Sequence, residues 1–537
     1  MTPLRNYHQL RSDWLRVKQT LSMATALPGF FRERLTLERA EEEIKKLLDT
    51  RPRRFLELAR SLVYQCPRSP YLRLLKHAGC EFSDLEREVA RHGLEETLIK
   101  LAAAGVYVTS DEFKGKTEIV RGGLAFRVSP EDFEHRDSRP GYTMESSGTR
   151  NQPVKTFSSL GSRELFAQAM AVFYGAHDLF SRAHAVYEPV LAGRIFRILV
   201  KAKLGIAVDR WFALNVASHA AVEDWFHYLN AHAIARIGSW SGRGVARPQY
   251  LDPGDLEPII DWIVANHRTG RRCCLATVVS NATRIARKAL QSGISLQHVT
   301  FEISGEPLSR AKKRIMEETG ARIALMYGPG GGSGAALGCG NPCFMDEMHV
   351  PQILFTFVEN PRELQGEPPI HPLMMTTTHA TAPRFLLNVE NGDYATMITR
   401  DCGCLLHKVG FTQHIHSVRS FEKMTGEGMN YSAGDLFDLL ETQIPSEFGG
   451  GPGDYQLVEE EDERGQTRLT LLVHPEIGDL DDGTLLLRLQ SGLAQGSRNH
   501  RFITKIWQDA GAFRIRRGIP HTSSGGKTPL LHIKQKN

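Results

Sequence analysis

The chain has 537 residues, of which 41% are hydrophobic and 24% charged, with a formal net charge of +5. That length and apolar content suffice for roughly two to four folded domains. Lys and Arg are interspersed with Asp and Glu rather than gathered in runs, so the mild positive charge suits an anionic small molecule at least as well as a nucleic acid, and no nucleic-acid partner is expected.

In chain order, the N-terminus carries Arg5, Arg11, Asp13, Arg16 and Lys18 ahead of any apolar run. It lacks the order of a secretory signal, and the expected location is cytoplasmic. Apolar residues then recur at helical spacing from Leu35 to about Leu101, which predicts a helical N-terminal region over residues 1–105 of the large domain. Residues 106–109 alternate as a short strand and open a core region over 106–420. Next comes a loop, Glu145 to Pro153, in which Ser146, Ser147, Gly148 and Thr149 set three hydroxyls around a glycine. Hydroxyls, consecutive N–H groups and a glycine that permits close approach suit a phosphate, and they equally suit a surface turn. Helices are predicted over 162–180 and 256–266, where Pro258 is tolerated in the first turn. The most apolar run, 191–208, is broken by Arg194, Arg197, Lys201 and Lys203, so no membrane span is expected. Short β-type runs at 275–279, 298–303, 322–326 and 353–357 alternate with helices, which argues for α/β layers. Beyond about Ser420 two alternating strands, 454–460 and 467–473, flank a charged turn, and a small α+β domain is predicted over 421–537. The glycine run Gly449-Gly450-Gly451-Pro452-Gly453 reads most simply as a loop.

Two motifs follow predicted strands, and a third lies in a glycine turn. Gly305-Glu306-Pro307 and Tyr327-Gly328-Pro329 each sit just beyond a strand's carboxyl end, where open α/β sheets place ligands. Tyr327 offers a face for a flat base, although glycine serves ordinary turns as well. Asp393, in the turn Asn391-Gly392-Asp393, offers a carboxylate to sugar hydroxyls or to a turn. Near the chain end, Lys527 is presented from a Ser- and Gly-rich loop.

Together these segments resemble the adenylate-forming superfamily, and within it the branch of phenylacetate-CoA ligases and acyl-protein synthetases, over roughly residues 35–535. The resemblance implies a large domain of layered sheets and helices with a small, mobile C-terminal α+β domain. It implies that Ser146, Ser147, Gly148 and Thr149 hold the phosphates of ATP. It also implies that Gly305, Glu306, Pro307, Tyr327, Gly328 and Pro329 frame the adenine, and that Asp393 binds the ribose. Lys527 would contact the substrate carboxylate and the α-phosphate. The implied activity is Mg²⁺- and ATP-dependent activation of a small carboxylic acid, followed by acyl transfer to a thiol such as CoA. An amine or a protein thiol is the alternative acceptor, a nucleotide-binding protein without turnover is the alternative from another class, and a homodimer is left open.

The chain departs from that family pattern in three places. The Mg²⁺-binding Glu expected shortly after Tyr-Gly is replaced by the run Pro329-Gly330-Gly331-Gly332-Ser333. The Arg expected before Gly-Asp is absent, Asn388 to Asn391 standing there. The usual Gly-Arg-x-Asp-Asp hinge survives only as Val418-Arg419-Ser420-Phe421-Glu422.

Cys339, Cys343, His349, Cys402 and Cys404 form the one cluster with metal-type spacing. Zinc takes four such ligands in a closed tetrahedron, often from two remote segments. Five candidates for four places leave Cys339 or Cys343 open, with His407 as an outsider, and unrelated buried thiols as the other reading. Cys273 and Cys274 are expected in the core. His371, His379, His414 and His416 lie in the same half of the chain, each more simply structural than catalytic. Trp211, Phe212, Trp225 and Phe226 are expected in the core, and Arg514, Arg516, Arg517, Lys534 and Lys536 on a solvated face.

Overall fold

The computed structural model describes residues 22, 25–135, 141–145, 155–188, 192–214, 246–252, 255–328, 334–364, 367–420, 433–461, 467–495, 504, 508, 511–523 and 526–533. After a helical stretch over residues 25–31 come α1 (Leu37–Asp49), α2 (Arg51–Ala59), α3 (Pro70–His77), α4 (Phe82–His92) and α5 (Leu94–Ala103). Thr36 caps α1 by accepting the Arg39 N–H, and Gly93, at φ 81, both ends α4 and starts α5. The strand expected at 106–109 is reduced to one bridge, Val108 to Val389. A capping box is the reason: Thr109 accepts the Glu112 N–H and Glu112 accepts the Thr109 N–H, turning the chain into the short helix α6 (Ser110–Phe113).

Two hairpins follow, β1 (Ile119–Arg121) with β2 (Leu124–Phe126), and β3 (Gly141–Glu145) with β4 (Lys155–Ser159). The chain then alternates: α7 (Leu160–Ala176), β5 (Ala183–Tyr187), α8 (Ala192–Lys203), β6 (Val208–Leu214), β7 (Pro248–Leu251), α9 (Glu257–Arg268), β8 (Cys273–Val278), α10 (Val279–Gln291), β9 (Val299–Ser304), α11 (Arg310–Glu318) and β10 (Arg322–Tyr327). Strands β5 to β10 are parallel where they pair. Every residue of β5 and β8 is buried, as a sheet covered on both faces requires. Cys273 and Cys274 are in that core, with Trp211 and Phe212; Trp225 and Phe226 lie outside the described residues.

The same sheet continues in antiparallel sense through β11 (Ala336–Gly338), β12 (Met348–His349), β13 (Phe355–Glu359), β16 (Pro372–Thr377), β17 (Val389–Thr399) and β18 (Gln413–Ser420), while β14 (Arg362–Leu364) and β15 (Glu367–Ile370) form a separate pair. The full order is β13-β16-β17-β18-β12-β11-β10-β9-β8-β5-β6-β7, twelve strands. Helix α12 (Leu405–Lys408) lies between β17 and β18. Residues 433–533 carry their own four-stranded sheet, β21-β20-β19-β22, built from β19 (Tyr455–Glu461), β20 (Thr467–Val473), β21 (Phe513–Arg517) and β22 (Leu531–Ile533). Helices α13 (Ala433–Asp438), α14 (Ile444–Phe448) and α15 (Asp482–Ala494) accompany it, with a core of Leu436, Tyr455, Leu471, Leu489 and neighbours. Among the described residues no helix is long and apolar enough to cross a membrane.

The parallel half is held by a charge network centred on the fully buried Glu302 and Lys201, with Arg197 at its edge. Glu302 of β9 lies 2.6 Å from Lys201 Nζ of α8 and 3.2 Å from Arg197 Nη1, and accepts a hydrogen bond from Tyr174 of α7 at 2.8 Å. Burial alone would raise the Glu302 carboxyl, but the Lys201 and Arg197 charges outweigh it and bring its pKa down to about 2. His184 is pushed down to about 3, by burial and then by Lys201. The sign for stability follows: a depressed carboxyl contributes fully above its ordinary 4.5 and loses that contribution as pH falls toward about 2. Replacing Lys201 by Met should cost about 3–5 kcal/mol at neutral pH, because one partner of a buried pair is left behind. Urea unfolding at pH 7 and at pH 3 measures both, with a shallower acid dependence expected in the variant.

Candidate functional site

At the carboxyl end of β9 the chain turns at Gly305, whose φ of 85 suits glycine. Glu306 then points back to the start of α10, accepting the Ser280 N–H at 2.8 Å and the Ser280 hydroxyl at 2.8 Å. A carboxylate there satisfies an unpaired amide of the helix's first turn and faces its positive end. Ser304, one residue before the turn, accepts a hydrogen bond from Arg197 Nη2 at 2.6 Å, which ties this end of β9 to the buried charge network. Glu306 and Pro307 are half-buried.

One strand further on, the Tyr327 hydroxyl donates to Asp393 Oδ2 at 2.6 Å and accepts from Asn391 Nδ2 at 2.9 Å. Asp393 in turn donates its N–H to Asn391 Oδ1, across Gly392 at φ 86. The pair links β10, the last parallel strand, to β17, an antiparallel one. Burial first, and Asp393 second, push the Tyr327 phenol well above its ordinary value, so it stays a donor. The Asn that stands where a basic residue was expected is structural: Asn388, at φ 52 and fully buried, donates to the carbonyls of Leu98 and Val106.

The Lys527 loop is built at its base by Gln456 of β19, whose carboxamide donates to the carbonyls of His521 and Pro529 and accepts the His521 N–H. Ser523 closes the loop, donating its N–H to the Lys527 carbonyl and accepting the Lys527 N–H on its hydroxyl. The tip reaches the large domain. Thr528 N–H donates to Glu306 Oε1 at 3.2 Å, and Arg284 Nη2 of α10 donates to the Gly526 carbonyl at 2.8 Å. The residues on either side of Lys527 thus touch the Gly305 turn and the helix behind it.

Ser146, Ser147, Gly148 and Thr149 lie outside the described residues, as do Pro329 and the glycine run after it. Strands β3 and β4 pair on either side of that hydroxyl loop, with Glu145 opposite Lys155. Gly328 directly follows β10. Of the expected hinge, Val418 to Ser420 end β18, and the Arg419 guanidinium lies over the Phe437 ring of α13.

Cys339, His349, Cys402 and Cys404 converge, with their ligand atoms all within 4.8 Å of one another. His349 Nε2 is 3.2 Å from Cys404 Sγ and 3.5 Å from Cys402 Sγ. Ligands about 2.0–2.3 Å from a tetrahedral zinc are separated by a similar amount, roughly 3.5–3.8 Å. His349 Nδ1 lies 2.6 Å from the Phe411 carbonyl; donation there leaves Nε2 as the free lone pair, facing the thiols. Hydrogen bonds from Cys339 and then His349 hold the Cys404 thiol well below its ordinary value, whereas Cys339 is driven up, chiefly by its contact with Cys404. Cys343 is excluded from the group: it is exposed, and its N–H is donated to Glu347 at 2.6 Å. A tight loop explains this, because Glu347 also accepts the Phe344 N–H and pairs with Arg400, turning residue 343 outward. His407 is likewise outside, 3.0 Å from Asp401.

The remaining histidines have structural partners. His371 pairs with Glu359 at 3.2 Å, His379 contacts the Thr381 hydroxyl, His416 stacks on Phe344 at 3.8 Å, and His414 is buried 3.9 Å from the His349 ring. Three features escape sequence reasoning. They are the Arg197–Lys201–Glu302 network, the Arg284 contact, and the pairing of Arg287 with Asp454 at 3.1 Å across the two domains. Nothing in the sequence separates these residues from ordinary helix-surface charges, except that Arg197 and Lys201 interrupt an otherwise apolar run.

No protein-family model matches the chain, and no curated protein does. Among solved structures, a 2-hydroxyisobutyryl-CoA ligase in complex with 2-HIB-AMP and CoA is similar at 14% identity, covering 94% of this chain and 91% of that one, with a TM-score of 0.42. ATP-bound MatB from Rhodopseudomonas palustris is similar at 12% identity over 73% of this chain and 67% of that one, TM-score 0.41. The amide bond synthetase McbA from Marinactinospora thermotolerans is similar at 11% identity over 85% of each chain, TM-score 0.39.

Proposed function

We propose that the protein activates a small carboxylic acid with ATP, forming an acyl-adenylate and pyrophosphate, and passes the acyl group to a thiol such as CoA. One observation carries the reading: the loop bearing Lys527 is seated on the Gly305-Glu306 turn at the carboxyl end of a parallel sheet, through a contact between residues 222 apart in sequence. A lysine delivered there by a separate domain suits chemistry in which charge builds on phosphate oxygens and must later be released. In the proposed step a carboxylate oxygen bonds to the α-phosphorus of ATP as the bond to the pyrophosphate oxygen breaks. Lys527 offsets the negative charge shared between the two anions. Asp393, beside Tyr327, is assigned the ribose, and Ser146, Ser147 and Thr149 the phosphates, with Gly148 allowing close approach. Mg²⁺ would travel with the nucleotide.

The test is acid-dependent exchange of pyrophosphate into ATP, run on purified protein with a broad panel of carboxylic acids and with CoA and amines as competing acceptors read by mass. At least one acid should support exchange, and Lys527→Ala should lower its rate about a hundredfold or more, as loss of a charge-stabilising donor does. Nucleotide affinity by calorimetry should be nearly unchanged. A second reading, a nucleotide-binding protein without turnover, is favoured by the absence of a Glu after Tyr327-Gly328. Nucleotide binding without exchange from any acid would select it.

Cys339, His349, Cys402 and Cys404 are proposed to hold a structural zinc. Three thiolates and one imidazole leave a closed, negatively charged site, which Arg400 Nη2, 3.8 Å from Cys339 Sγ, partly offsets. Protein purified without added metal should contain about one zinc per chain. Cys404→Ser should lose the metal and lower the melting temperature, whereas Cys343→Ser should keep both; a wild-type protein with clearly substoichiometric zinc would dismiss the site.

A further inference from the structure

The proposed reaction needs Lys527 in place for one half-reaction and out of the way for the other, and the contacts around it divide accordingly. The base of its loop is fixed within the small domain, by Gln456 and Ser523. Its tip is also held from the large domain, by Arg284 and Glu306, one on each side of the lysine. Both clamp residues are themselves anchored. Arg284 also donates to Asn281 Oδ1 at 2.8 Å within α10, and Glu306 holds the start of the same helix through Ser280. One turn along, Arg287 of α10 grips the small domain a second time, pairing with Asp454 and donating to the Pro452 carbonyl at 3.1 Å. Gly451 sits against that grip: a Cβ there would come within 2.2 Å of Arg287 Nη2, so the guanidinium would have to shift.

We propose that Arg284 and Glu306 are positioning residues for Lys527: they clamp the tip of its loop in the pose that forms the adenylate, with Arg287 and the Gly449–Gly453 run docking the domain around them. The assignment rests on the adenylation reading. Glu306 then acts through the Thr528 amide and the α10 start, whereas the family resemblance alone assigns it to the adenine.

Hydrogen exchange read by mass spectrometry on residues 519–530 tests the clamp without requiring turnover. Arg284→Met and Glu306→Ala should each speed exchange in this segment by at least about tenfold, the worth of one charge-assisted hydrogen bond, with thermal melts checking that each variant is folded. Arg284→Lys should recover most of the protection, and Glu306→Gln serves if the Ala variant does not fold. Pyrophosphate exchange with the best acid of the panel supplies the second readout. Its turnover should fall about tenfold or more in both variants while the KM for ATP stays unchanged, the pattern of a misplaced charge donor. Unchanged hydrogen exchange overturns the clamp, and so does unchanged turnover in variants whose loop has loosened. A raised KM with turnover retained overturns it too, and returns Glu306 to nucleotide binding. If the wild type supports no pyrophosphate exchange with any acid, the adenylation reading fails, and hydrogen exchange alone decides whether the loop is clamped.

Discussion

The structure depends on a seam. A single sheet changes from parallel to antiparallel between β10 and β11, and the strands that carry the change are very short, three residues in β11 and two in β12. Ladder hydrogen bonds over so few residues cannot by themselves fix a register against slippage. Side chains make up the difference. Cys339 follows β11, His349 belongs to β12, and Cys402 and Cys404 lie between β17 and β18, so their convergence pins three of the strands meeting at the seam. The Tyr327–Asp393 hydrogen bond crosses the same seam on the side of the proposed nucleotide. The metal proposed for this cluster would act through geometry, by holding the turn that leads into β18.

The loop between β11 and β12 reinforces that route. Asp346 accepts the Ser417 N–H and pairs with Arg419, while Phe344 stacks on His416. Ser417 adopts φ 56, an uncommon conformation for a residue with a side chain, and it persists because these contacts surround it. Arg419 then lies over Phe437 of the small domain. A chain of contacts thus runs from the loop beside the cysteine cluster to Phe437 of the small domain.

Much of this was legible in the sequence, and the parts that were not share a cause. Strands β8, β9 and β10 announce themselves as apolar runs because both faces of a parallel sheet are buried, and helix α9 through its spacing and its early proline. The strand expected at 106–109 failed because local capping by Thr109 and Glu112 overrode β-type alternation. Cysteine spacing brought the cluster into view but could not choose between Cys339 and Cys343, since the choice is made by Glu347, which folds the intervening loop outward. Arg284, Arg287 and Asp454 were invisible for a different reason. Contacts between domains have no periodicity, and a charged residue on a helix reads alike whether it faces water or a partner surface.

That domain contact is built on charged pairs. Besides the Arg287–Asp454 pair, Lys312 of α11 lies 2.6 Å from Glu441, both buried. Burial would lower the Lys312 pKa, but the Glu441 charge beside it raises it instead, so Lys312 stays charged in this pose. Removing two ions from water costs nearly what their attraction returns, so such a pair adds specificity of position with little net adhesion. An apolar interface of the same extent would bind more strongly and release more slowly. Charged contacts near break-even favour one defined pose of the small domain with little net adhesion. At Gly451 a side chain would require Arg287 to shift from the position in which it pairs with Asp454.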